Sequence, residues 1–243
     1  MKIEEYFSGH NSYALGFSGG VDSACLLYLG TKYGADITPY FVYSTFQTEK
    51  ELHEAESFCK MLGIHLNVIK TDVLTIPEIV RNNDDRCYYC KKHLFSEIIR
   101  VCGDKTDIEG TNLSDDVDDR PGYKALCELG VESPLRICGY TKEAIRETLR
   151  NAGYEMWSKP SKACLATRIV GQKITYELLN KAEIAENALE NLGFSDFRVR
   201  IIGNTAKIQV KENQLQLVID RKNEIINTIK PLFDGVLLDL EAR

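Results

Sequence analysis

The run YALGFS (Tyr13–Ser18) passes through two glycines into VDSACLLYLGTKYG, whose Val21, Cys25 and Leu29 share one helical face. A strand that turns directly into an amphipathic helix restricts the chain to an α/β architecture, because the helix must fold back to bury its apolar side. The pattern then repeats. ITPYFVYS (Ile37–Ser44) reads as a second strand, Glu49–Gly63 as a helix closed by a glycine cap, HLNVIKTD as a third strand and TDIEGTN as a fourth. ESPLRICG reads as a fifth strand, and TKEAIRETLRNAG as a helix with Thr141 at its N-cap. Alternation of this kind implies a parallel sheet with helices on both faces, as in Rossmann-like folds.

The pattern changes after about Gly171. TYELLNKAEIAENALENLGF predicts one long helix, and FRVRIIGN with TAKIQV predicts a hairpin turning at Gly203-Asn204. A helix over about Gln214–Leu232 and a last strand, GVLLDLEA, complete an α-β-β-α-β order. The expected division is therefore an α/β domain over 1–171 and a small C-terminal α+β domain over 172–243. Between them Tyr154–Lys173 has little periodicity and reads as a long loop, a place where function often resides.

Of the 243 residues 44% are hydrophobic and 27% charged, which fits a folded globular chain and not a disordered one. The net charge of −6 disfavours non-specific nucleic-acid binding. No apolar run approaches the roughly 18 residues of a membrane span. The N-terminal MKIEEYFSGHNSY has acids where a signal peptide needs an apolar core, so a cytoplasmic location is expected. In that reducing setting eight cysteines are not a disulfide framework; most should be small buried residues and a few should be ligands.

FSGGVDS (Phe17–Ser23) follows the first strand and opens a helix. Gly19 and Gly20 allow the backbone to curl so that successive N–H groups face one anion, and the helix N-terminus adds partial positive charge. Ser18 and Ser23 add hydroxyl donors. Asp22 would repel a phosphate, so it makes sense as a partner of Mg²⁺. There is no Gly-Lys-Ser/Thr ending, so this is not a Walker loop. The stretch closely resembles the PP-loop of N-type ATP pyrophosphatases, which cleave ATP between its α and β phosphates and place AMP on an oxygen that a nucleophile then displaces. EGTNLSDD (Glu109–Asp116) lies where that group has a second nucleotide and Mg²⁺ loop, with Gly110 at its turn. The plain alternative is an acidic surface turn.

RCYYCKK (Arg86–Lys92) sets Cys87 and Cys90 three residues apart, ahead of the amphipathic HLFSEIIRVC. Such a pair serves as a redox couple, as half of a zinc site, as part of an iron–sulfur site, or as nothing. The polar RNNDDR before it is not the strand that a thioredoxin-like couple follows. His93 and a distant Cys164, in the loop SKACLATR, would complete a zinc site with the pair. Three cysteines alone suit a [4Fe–4S] cluster with one open iron.

Taken together and in this order, the glycine loop, RCYYCKK, EGTNLSDDVDDRPG, SKACLATRI and FRVRI resemble the LarE family. These are ATP-dependent sulfur insertases that build the nickel-pincer cofactor of lactate racemase, and the resemblance runs from about Tyr13 to the C-terminus. It implies adenylylation of the carboxylates of pyridinium-3,5-biscarboxylic acid mononucleotide and their conversion to thiocarboxylates. Some members sacrifice a single cysteine, which becomes dehydroalanine. Others hold a [4Fe–4S] cluster on three cysteines and use supplied sulfide, and Cys87, Cys90 and Cys164 match that pattern. The implied cofactors are ATP, Mg²⁺ and the cluster, and family members assemble as hexamers. TRIVGQ stands here where the family often reads Ser-Arg-Ile-Pro-Tyr-Gly.

Arg198 and Arg200 lie two apart on a predicted strand and so share a face, which suits a phosphate dianion; Arg168 is placed to join them from the loop. Surface arginines paired with carboxylates are the ordinary alternative. The resemblance implies that these arginines bind the substrate phosphate, and it matches Glu186 to an active-site acid. The rival functions are a tRNA thiolase, which needs a basic surface, an ammonia-using synthetase with zinc on the cysteines, and a nucleotide-binding scaffold without turnover.

Overall fold

The computed structural model of the chain describes residues 1–9, 12–117, 120–160 and 163–241. In order, the first elements are α1 (Ile3–Phe7), β1 (Ser12–Gly16), α2 (Val21–Lys32), β2 (Asp36–Tyr43), α3 (Glu49–Met61), β3 (Asn67–Lys70) and α4 (Pro77–Val80). Then come α5 (Arg86–Cys102), β4 (Thr106–Ile108), α6 (Pro121–Glu128), α7 (Pro134–Ile137) and α8 (Lys142–Asn151). The C-terminal elements are β5 (Ile169–Val170), α9 (Tyr176–Asn191), β6 (Arg198–Ile202), β7 (Thr205–Gln209), α10 (Leu215–Asp220), α11 (Lys222–Ile229) and β8 (Gly235–Leu238). They form two compact units, one of Met1–Val73 with Asp84–Lys162 and one of Leu74–Asn83 with Ala163–Arg243.

The first unit is built on a parallel sheet in the order β3-β2-β1-β4. Successive residues of a strand face opposite sides, and both sides are covered. Tyr13, Leu15, Ile37 and Phe41 pack with α1, α2, α3, α7 and α8 residues such as Leu26, Phe58, Leu135 and Leu149. Their neighbours Ala14 and Tyr40 pack on the other side with Phe95, Ile98 and Cys102 of α5 and Leu126 of α6. This is the expected α/β arrangement with helices on both faces. Each fully buried Leu or Phe contributes about 1.5–3 kcal/mol. Gly16 has a specific purpose: a Cβ there would lie 2.5 Å from Cζ of Phe95, so its absence lets α5 seat on the end of β1.

The second unit has a mixed sheet, β5-β6-β7-β8, with parallel, antiparallel and parallel pairings in turn. β6 and β7 form the expected hairpin across Gly203-Asn204, where Gly203 has φ +59°. Thr175 caps α9 by accepting from the N–H of Leu178. Residues 74–83 belong to this unit: Asn82 Nδ2 donates to the carbonyls of Ile169 and Gln172, both at 2.9 Å, and Ile174 N donates to Val80 O. Among the described residues no helix is long and apolar enough to cross a membrane.

Three sequence expectations are corrected. ESPLRICG supplies only a single parallel bridge, Ile108 with Glu132, and then turns into α7, because Pro134 at the first helical position favours a helix start. The helix expected over Gln214–Leu232 is broken into α10 and α11 at Arg221. Tyr154–Lys173 is not featureless: it contains two 3₁₀ turns, Glu155–Ser158 and Leu165–Arg168, and the two residues of β5.

Candidate active site

Residues 17–23 turn from β1 into α2. Gly19 has φ +69°, a conformation that side-chain-bearing residues rarely take, and a Cβ there would already press on Ala55 at 3.3 Å. Gly20 is the N-cap of α2, and its N–H donates to Ser18 Oγ at 3.4 Å. The hydroxyls of Ser18 and Ser23 lie 3.3 Å apart, and Ser23 Oγ donates to the Gly20 carbonyl. Two hydroxyls and the first N–H groups of a twelve-residue helix are thus gathered at one point, the arrangement that binds phosphate.

Asp22 sits in the first turn of α2. Both its carboxylate oxygens accept from Nζ of Lys142, each at 2.6 Å, and Asn112 Nδ2 approaches Oδ1 at 3.4 Å. The carboxylate is therefore paired with an ammonium in this structure. Cys25, one turn on, is wholly buried; burial pushes its thiol up to about 12, Asp22 adds to the shift and Lys142 opposes it. Burial likewise pushes Cys59 up to about 12. Both are inert packing thiols.

The second loop, Glu109–Asp116, is held from inside. Glu109 is buried and accepts from Thr111 N, Thr111 Oγ1 and Ser133 Oγ. Asp115 accepts from Asn112 N and pairs with Arg120, while Arg136 Nη1 donates to the carbonyls of Asn112 and Asp115. These acids shape the loop. Asp118 and Asp119 of the same motif lie outside the described residues. Gly110 brings the loop against α2: a Cβ there would stand 2.9 Å from Ser23 N and 3.1 Å from Asp22 C. Backbone atoms cannot swing aside, so Gly110→Ala should cost roughly 1–3 kcal/mol, read as a lower thermal unfolding midpoint. An unchanged midpoint would mean that the loop has slack.

Cys87 and Cys90 fall within the first two turns of α5, which begins at Arg86 and so takes in the pair as well as HLFSEIIRVC. A spacing of three puts both on one helical side. Cys87 is exposed, Cys90 half-buried, and neither forms a disulfide. Arg86 Nη2 donates to Cys87 Sγ at 3.7 Å. Both are more accessible than the buried Cys25, Cys59 and Cys102, as are Cys127 and Cys138; thiols are soft donors of the kind that iron–sulfur and zinc centres use. His93 Nε2 lies 2.7 Å from Thr71 Oγ1, so its ring is engaged there. Among the described residues no three His, Cys, Asp or Glu side chains are grouped as a metal site.

In the second unit Cys164 is the N-cap of the 3₁₀ turn Leu165–Arg168, and its thiol is half-buried. Its carbonyl accepts from Thr167 N, Thr167 Oγ1 and Arg168 Nη1. Ser161 and Lys162, which precede it in the motif, lie outside the described residues. Arg168 is buried and forms a two-pronged ion pair with Glu186, Nε to Oε1 at 2.7 Å and Nη2 to Oε2 at 3.0 Å. Its Nη1 also donates to Ala163 O and Thr167 Oγ1. Glu186 Oε1 accepts in addition from Val199 N. The pair ties the Cys164 loop to α9 and β6. After Arg168, TRIVGQ runs into β5, with Ile169 opposite Ile201, and Gln172 Nε2 reaches Gly203 O.

Arg198 and Arg200 flank Val199, whose side chain, like that of Ile201, is fully buried on the opposite face of β6. Arg198 Nη1 donates to Phe197 O, and Arg200 donates to Gln209 Oε1 and Thr167 O. The structure therefore brings Arg168, Glu186, Arg200 and the Cys164 turn together within the second unit. It brings Ser18, Asp22, Ser23 and Gly110 together within the first. Lys142 was missed by the sequence reading. The available signal was a lysine at the first position of a helix, where the helix dipole disfavours positive charge.

No family model matches the chain. An uncharacterized protein of Synechocystis sp. is 30% identical over 99% of this chain and 92% of its own length. An uncharacterized protein of Methanocaldococcus jannaschii is 32% identical over 93% of this chain and 88% of its own. The pyridinium-3,5-bisthiocarboxylic acid mononucleotide synthase of Lactiplantibacillus plantarum is 30% identical over 92% of this chain and 84% of its own.

Proposed function

Because the chain belongs to the LarE family, that of the Lactiplantibacillus plantarum synthase, we propose that it inserts sulfur into pyridinium-3,5-biscarboxylic acid mononucleotide in nickel-pincer cofactor synthesis. The observation that carries this reading is the likeness to that synthase over 92% of the chain. The phosphate-binding geometry at the start of α2 supports it.

ATP is the activating substrate. A carboxylate oxygen of the pyridinium substrate attacks the α-phosphorus, pyrophosphate leaves, and an acyl adenylate forms. A sulfur nucleophile then attacks the acyl carbon, AMP departs, and a thiocarboxylate remains. Gly19, Gly20, Ser18 and Ser23 bind the phosphates, and Gly110 lets the second loop close over them. Asp22 would hold Mg²⁺, which would neutralise charge on the departing pyrophosphate. Cys87, Cys90 and Cys164 would be the ligands of a [4Fe–4S] cluster, which would supply a sulfur-carrying Lewis acid. Arg198 and Arg200 bind the substrate phosphate, with Arg168 beside them and Glu186 fixing Arg168.

Arg198→Ala or Arg200→Ala should weaken binding of the pyridinium mononucleotide, measured by calorimetry, far more than binding of ATP. One charge-assisted bond lost corresponds to roughly tenfold to a hundredfold in affinity. Equal losses for both ligands would give these arginines a structural role and remove the substrate-phosphate assignment.

A further inference from the structure

Arg200 is held from two directions. Its Nη1 donates to Thr167 O at 2.6 Å and its Nε to Gln209 Oε1 at 2.8 Å. Lys207 stands directly opposite Arg200 on β7, and Gln209 lies two residues further on. All three therefore share the face of the sheet that turns away from the buried Val199, Ile201 and Ile208. Gln209 Nε2 in turn donates to Asp239 Oδ2 at 2.7 Å, and Lys207 Nζ reaches the same oxygen at 2.8 Å. Asp239 is pinned just past β8, where its N–H donates to Ile208 O. The bond from Lys207, and then that from Gln209, hold its carboxyl below the usual carboxylate range, so at neutral pH it only accepts.

We propose that Asp239, acting through Gln209, is a positioning residue for Arg200 and so for the substrate's phosphate. The inference rests on the reading of Arg200 as a ligand of that phosphate. A glutamine amide has one accepting end and one donating end. It sits here between a guanidinium, which only donates, and a carboxylate, which only accepts. One orientation alone satisfies both neighbours, so Asp239 fixes the amide and the amide fixes the plane of the guanidinium. A guanidinium fork on a flexible stem grips a phosphate best when its plane is set beforehand. Charge alone would act the other way, because an acid near the arginines disfavours an arriving anion. Removing Asp239 therefore separates the two effects by sign.

The test uses the full-length protein as wild type, Asp239→Ala, Asp239→Asn, Gln209→Leu and Arg200→Ala, with folding checked by circular dichroism. Each is titrated by calorimetry with pyridinium-3,5-biscarboxylic acid mononucleotide and, separately, with ATP. Gln209→Leu should weaken mononucleotide binding by roughly tenfold and Asp239→Ala by roughly threefold to tenfold, with ATP affinity unmoved. Asp239→Asn, as neutral as alanine but still able to accept from Gln209, should bind close to wild type. If Arg200→Ala is weakened but Asp239→Ala or Gln209→Leu is not, the proposal fails and Arg200 keeps its role. It fails in the same way if Asp239→Asn is as weak as Asp239→Ala, or if ATP binding falls equally. If wild type does not bind the mononucleotide, or Arg200→Ala binds it equally well, the proposal fails together with the reading of Arg200.

Discussion

Asp22→Asn should all but abolish release of pyrophosphate from ATP while the protein remains folded. The side chain is at the surface of the first unit, 29% exposed, and its pair with Lys142 is open to solvent. A partly exposed ion pair contributes at most about 1 kcal/mol to stability, so the unfolding midpoint should move little. Catalysis depends on the charge. Asparagine keeps the shape but cannot anchor Mg²⁺ against departing pyrophosphate. A loss of several kcal/mol of transition-state stabilisation, about 4, is a factor on the order of 10³ in rate. Chromatographic separation of AMP, ADP and pyrophosphate reads this directly. Retained turnover would remove Asp22 from the metal site, and ADP as the stoichiometric product would remove the PP-loop chemistry.

The features that the sequence displayed well are local ones. The β1–glycine–α2 passage, the cap at Thr141 and the turn at Gly203-Asn204 each depend on residues within a few positions of one another. The failures have equally physical causes. β5 is two residues long, too short for alternation to appear. Residues 74–83 join the second unit through Asn82, whose bonds to Ile169 and Gln172 span 87 and 90 residues. No linear pattern carries that information. In the site, residue type suggested roles for Asp22 and Arg168, and the family resemblance one for Glu186, but neither indicated that Lys142 sits on Asp22 or that Arg168 and Glu186 grip each other. Such pairings are made by tertiary packing.

Replacing any one of Cys87, Cys90 and Cys164 by alanine should abolish sulfur transfer and leave adenylylation, read as pyrophosphate release, in place. Thiolates are the soft ligands that iron–sulfur centres need, and an alanine supplies none. Anaerobically prepared wild type should contain about four irons and four sulfides per chain. Cys25, Cys59 and Cys102 are buried packing thiols, and their substitution should affect stability at most. His93→Ala should leave the iron content unchanged, since its ring is engaged by Thr71. One zinc per chain with an essential His93 would favour the zinc site instead. A single turnover by iron-free protein that converts Cys164 to dehydroalanine would favour the sacrificial route.

The most direct measurement is mass spectrometry of the small molecule after anaerobic incubation of the protein with pyridinium-3,5-biscarboxylic acid mononucleotide, ATP, Mg²⁺ and sulfide. The expected result is replacement of carboxylate oxygen by sulfur, with AMP and pyrophosphate formed in proportion. Recovery of the mononucleotide unchanged, by a protein that carries its cluster and binds ATP, would contradict the assignment.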